Sequence, residues 1–152
     1  MLYQLQKLSS GEQNSIRQSP IWVTLLVACA DHDIQESEID RAKEIIHIKS
    51  YALQNDLRDL YKELDADIDS LIDETLKSIP AEGTKRIIYL EDKIKELNAI
   101  FTKLDETFTK QLYASLKSLA LAVAQSDGGF FGIGRISEEE EKFISLPMLN
   151  KP

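Results

Sequence analysis

The chain has 152 residues, 43% hydrophobic and 29% charged, and a formal net charge of −8. That length makes one domain able to bury a real core. The acidic balance argues against nucleic acid and anionic membrane surfaces, whose phosphates it would repel.

The single cysteine, Cys29, rules out an internal disulfide and fits a reducing compartment. It lies in the apolar run 21–30, where a small buried thiol is expected. The run is well short of the ~20 residues that cross a bilayer. The N-terminal MLYQLQK lacks the charged-then-apolar plan of a signal peptide. A cytoplasmic protein with no integral membrane segment is the expectation.

Residues 1–18 are weakly patterned. Leu2, Leu5 and Leu8 recur at helical spacing, but Ser9-Ser10-Gly11 interrupts them, so a short N-terminal arm is expected. The first helix is expected to start at Ser19-Pro20, a serine cap followed by a proline in the first turn. Residues 21–30 are apolar nearly all round, which places that helix at the centre of a bundle.

A second helix is predicted over 36–49, with Ile39, Ala42, Ile45 and Ile46 facing inward. A third covers 52–64, with Leu53, Leu57, Leu60 and Leu64 on one face. Asp65 or Asp67 caps a fourth, carrying Ile68, Leu71, Ile72, Leu76 and Ile79. Pro80-Ala81-Glu82-Gly83 reads as a loop. Thr84 then caps a long helix in which Ile87, Leu90, Ile94, Leu97, Phe101 and Leu104 form a coiled-coil-type seam. That seam permits a dimer, but so few heptads favour packing within the chain. Asp105 either caps a further helix or lies within a continuous one, and Leu112, Leu116, Leu119 and Val123 carry the pattern on. A last helix opens at Ser137 and stops before Pro147. No segment alternates as a half-buried strand would. The chain reads as all-α, a bundle of six to seven helices, with an arm at 1–18, the domain at 19–147 and a tail at 148–152.

Two stretches share one grammar. In 25–41, LLVACADHDIQESEIDR, an apolar helix end meets Asp31 and a helix led by Glu36 and Glu38 follows. In 121–141, LAVAQSDGGFFGIGRISEEEE, the same order recurs around Asp127 and Glu138 to Glu141, with about six residues inserted. Two helix–acidic-turn–helix units suggest two related halves.

An aspartate at a helix C-terminus opposes the helix dipole, at a cost of a few tenths to ~1 kcal/mol. Asp31 and Asp127 are therefore either turn formers that bond nearby amides or ligands of a cation shared with the next helix. Asp31, Asp33, Glu38, Asp127 and Glu140 are the candidate metal ligands, oxygen donors suited to a hard divalent ion. Glu140 has a bland reading as well: with Ser137 it makes a capping box.

Neither turn is an EF-hand. Counted from Asp127, Gly132 and Glu138 fit the loop rule, but Gly129, Phe131 and Arg135 bring no side-chain oxygen where it is needed. The glycines of 128–134 do not have nucleotide-loop spacing. Phe130 and Phe131 are candidate partner-binding residues, since a solvent-facing aromatic pair on a glycine loop suits a contact surface; the alternative is that they tuck back onto the bundle. His32 and His47 stand apart without a Cys/His cluster, so zinc is not favoured. No nucleophile–base spacing or paired acid stands out, and no enzyme is expected.

At AVAQSDG with ISEEEEKFI, and at LLVACAD with IQESEIDRA, the sequence resembles the tellurite-resistance TerB-like family. The resemblance spans roughly residues 20–146. It implies an all-helical bundle of two related halves that binds a metal or other ligand through its acidic residues. It also implies a link to tellurite resistance and chemical stress in bacteria, and to protein complexes near the membrane. Carried over by motif, it points to Asp31, Glu38, Asp127 and Glu140. His32 stands where the family often has glycine, and the 130–135 insertion lengthens the second turn. The reading is thus a non-enzymatic TerB-like domain that binds a divalent cation and acts with protein partners. The alternative is a metal-free protein–protein interaction module.

Overall fold

A computed structural model describes residues 3–30, 34–53, 55–126 and 138–152. Among them are eight α-helical segments and no strand. A short 3-10 turn at Tyr3–Leu5 precedes α1 (Ser10–Ala28), α2 (Glu36–Ala52), α3 (Asn55–Ala66) and α4 (Ile68–Ser78). Then come α5 (Gly83–Lys95), α6 (Leu97–Phe101), α7 (Glu106–Ser126) and α8 (Glu138–Ile144). The protein is an all-α bundle.

The apolar half of α1 forms its axis. Ile21, Val23, Leu25, Leu26, Val27 and Ala28 are all 0% exposed, as a helix without a polar face must be. α1 packs against α7, and both α2 and α8 pack against that pair; α5 lies on α1, and α3 on α2. Among the described residues no helix is long and apolar enough to cross a membrane.

α1 begins nine residues before the expected Ser19. Ser9 caps it in a full capping box: its hydroxyl accepts from the Glu12 amide at 3.2 Å, and the Glu12 carboxylate accepts from the Ser9 amide at 3.0 Å. The stretch 9–12 is therefore a helix start rather than an interruption. Lys103 reaches back to the same Glu12, and its bond to that carboxylate, with help from the Ser9 amide, holds Glu12 below the usual carboxyl range.

Pro20 consequently sits inside the helix, where it removes the amide that would serve the Ile16 carbonyl. The Ser19 hydroxyl donates to that carbonyl at 2.8 Å, and Thr24 donates to the Pro20 carbonyl at 2.9 Å. Both hydroxyls are buried. The serine–proline pair is a repaired gap in a buried helix, and Leu5, Leu8 and Ile16 join the core ahead of it.

The long helix expected from Thr84 divides into α5 and α6. Its cap is Glu82, whose carboxylate accepts from the Lys85 and Thr84 amides at 2.9 and 3.0 Å. Those bonds hold the Glu82 carboxyl below its usual range. The seam turns inward: Leu90, Ile94 and Leu97 are 0% exposed, and Phe101 and Leu104 are buried. Asp105 caps α7, its carboxylate accepting from the Phe108 amide at 3.1 Å.

After α8 the chain turns through Leu146, a non-glycine residue at φ 50. Such a left-handed residue costs ~1–2 kcal/mol. Here the turn buries the Leu146 side chain completely and Leu149 almost so. Asn98 in α6 then ties down residues 148–150, donating to the Met148 carbonyl at 2.9 Å and accepting from the Asn150 amide at 2.8 Å.

Candidate functional site

Of the five expected metal ligands, Glu38 and Glu140 fall among the described residues. Asp31, Asp33 and Asp127 lie outside them, as do Phe130 and Phe131. Glu38 is the third residue of α2 and Glu140 the third of α8. Each is only 1% exposed, while Glu36, Glu138, Glu139 and Glu141 in the same first turns are exposed. Neighbouring glutamates of one composition are thus separated sharply: one per helix turns into the protein.

The first turn of a helix is a favourable place for a carboxylate, because the free amides and the dipole both face it. Glu38 uses this directly. Its Oε1 accepts from the Gln35 amide at 3.2 Å, the backward half of a capping box. A buried carboxylate is costly unless well partnered, and this bond is one of its partners. Among the described residues alone, no three His, Cys, Asp or Glu side chains come together to hold a metal ion.

His47 is accounted for otherwise: its Nδ1 lies 2.9 Å from Asp65 Oδ2, and its ring stands edge-on to Tyr51.

A second polar centre escaped the sequence reading. α2, α3 and α7 enclose an open groove of about 540 Å3, with Leu53 and Leu57 on one side and Gln111, Ala114 and Ser118 on the other. Lys49, in the last turn of α2, extends into it and donates to Ser118 Oγ at 2.8 Å. Its ammonium stands 5.6 Å from the ring centre of Tyr61, a cation–π distance. Burial draws the Lys49 ammonium below the usual lysine range. The ion pairs of the described residues do not include Lys49.

Beneath it, Tyr61 is wholly buried, and its hydroxyl shares a 2.7 Å hydrogen bond with Ser115. Burial pushes the phenol well above its usual range, partly countered by that bond. A signal for this centre was present in the sequence. Lys49 continues the spacing of Ala42 and Ile46, so a charge stands on the inward face of α2.

Comparison of the chain with family models, curated proteins and solved structures finds no match. The TerB-like resemblance accordingly rests on the residues of its two motifs.

Proposed function

We propose that this chain is a non-enzymatic, TerB-like domain that binds a divalent cation through its two acidic helix–turn–helix units and acts through protein partners. The observation that carries this reading is the matched burial of Glu38 and Glu140. Composition alone gives no reason for the third residue of each acid-led helix to be buried while its acidic neighbours stay in water. A cation offsets the desolvation of such carboxylates. Asp31, Asp33 and Asp127 complete the ligand set in this proposal. The ion supplies charge neutralisation that draws the ends of two helix pairs together, and through them the surface offered to a partner, with Phe130 and Phe131 as its aromatic contacts.

The rival is a metal-free interaction module in which the same acids only cap helices. The bond from the Gln35 amide to Glu38 favours it.

Calorimetric titration of chelator-stripped protein with calcium, magnesium, manganese and zinc separates the two. Saturable binding of one ion, abolished in Glu38→Gln with Glu140→Gln and in Asp31→Asn with Asp127→Asn, supports the cation site. Silence towards all four ions in folded protein rejects it. Loss of partner capture on Phe130→Ser with Phe131→Ser, without any ion response, then favours the module.

A further inference from the structure

We infer that the groove between α2, α3 and α7 is a binding site for a small organic monocarboxylate with a short apolar chain, its carboxylate held by Lys49 and its chain laid along Leu53 and Leu57.

The charge on the page selects the anion. Lys49 brings one ammonium into a half-buried groove and spends it on a neutral hydroxyl, Ser118, rather than on a carboxylate. A partly desolvated ammonium bonded to a neutral acceptor gains from exchanging it for an anion, because charge-assisted hydrogen bonds are shorter and stronger. The same groove offers the Gln111 amide as a neutral donor for the second carboxylate oxygen, the Ser118 hydroxyl proton being already given to the Ser115 carbonyl at 2.9 Å. Tyr61 fixes the ammonium from below through its ring and is itself anchored by Ser115, so the cation is held before any ligand arrives.

The charge also limits the ligand. Lys49 is the one cation lining the groove among the described residues. One positive charge balances a carboxylate and leaves a phosphate dianion half neutralised, within a protein of net charge −8 that repels anions at long range. The walls argue for an organic body. Ala52, Leu53 and Leu57 present apolar surface next to the ammonium, and the groove's volume, about 540 Å3, falls in the range of small-molecule sites. The site is remote in sequence from the acidic turns and does not depend on the cation reading.

The test uses amide chemical shifts of the isotope-labelled full chain during titration with acetate, butyrate and hexanoate, with hexanol and inorganic phosphate as comparators. The expected result is saturable movement confined to residues 49–57 and 111–118, tightening along the carboxylate series and weak for hexanol and phosphate. Lys49→Met keeps the stem and removes the charge, and is expected to weaken hexanoate about tenfold or more, as loss of a charge-assisted bond does. Absence of saturable shifts with hexanoate overturns the inference. So does equal binding of hexanol or phosphate by the native protein, a comparison that needs no variant, and so does unchanged hexanoate affinity in folded Lys49→Met.

Discussion

Glu38 and Glu140 occupy the same place in two different helices, third from the start of α2 and third from the start of α8, and each is 1% exposed. The helices they open both pack against the α1–α7 pair. The two acid-led helices therefore enter the bundle by the same move, turning one glutamate of the first turn inward.

Removing bound cation follows from the proposed function. Chelation is expected to lower the melting temperature of the native protein and to leave that of Glu38→Gln with Glu140→Gln unmoved. Binding at a hundredfold excess over the dissociation constant stabilises by about 2.7 kcal/mol, a shift of several degrees. A scanning calorimeter reads it, and equal curves with and without chelator count against a resident ion.

Ser19 and Pro20 form a coupled pair. Ser19→Ala leaves the Ile16 carbonyl buried without a donor and is expected to cost about 1–3 kcal/mol. In a Pro20→Ala background the restored amide serves that carbonyl, so the same substitution is expected to cost clearly less. Denaturant unfolding of the four proteins of this cycle measures the difference. Additive costs would show that the hydroxyl does not stand in for the missing amide.

Tyr61 sets an alkaline limit. Its folded pKa lies above the unfolded value of about 10. Stability from the buried neutral phenol is therefore complete below that unfolded value and is lost as pH rises beyond it, because the unfolded chain releases the proton first. Spectrophotometric titration is expected to show one of the five tyrosines ionising only as the protein unfolds. Tyr61→Phe is expected to cost about 1 kcal/mol at neutral pH, through the bond lost to Ser115.

Lys49 contributes little to folding. Its folded pKa is lowered, so the folded state binds its proton less readily than the unfolded chain, and this term favours folding more as pH rises through the lowered value. Lys49→Met is accordingly expected to unfold at a denaturant midpoint equal to or above the native one. A loss above about 1 kcal/mol would mark the lysine as a structural residue instead.

The helices were legible because their signals are local. The leucines of α3, the seam of 87–104 and the Asp105 cap each involve side chains within a few turns of one another, and the structure buries those leucines and all of the seam but Ile87, which is partly buried. The start of α1 was equally local, since Ser9 with Glu12 is a complete capping box. It was misread because Ser19-Pro20 offered a second, stronger-looking start. The candidate acids were legible as a repeated pattern. Their spacing could not tell that Glu38 and Glu140, among so many glutamates, are the buried ones, because burial depends on which helix stands opposite.

Spacing along the chain determines which residues share a helical face, and for this protein that was enough to define an all-α bundle with α1 at its centre. It says nothing of which faces meet. The Tyr61–Ser115 bond joins residues 54 apart, Lys49–Ser118 joins residues 69 apart, and Asn98 holds a turn 50 residues downstream. Such pairs exist only once helices of fixed length are packed, since closing each distant contact costs chain entropy that the shared core must first offset. The groove and its half-buried ammonium belong to the tertiary structure for that reason.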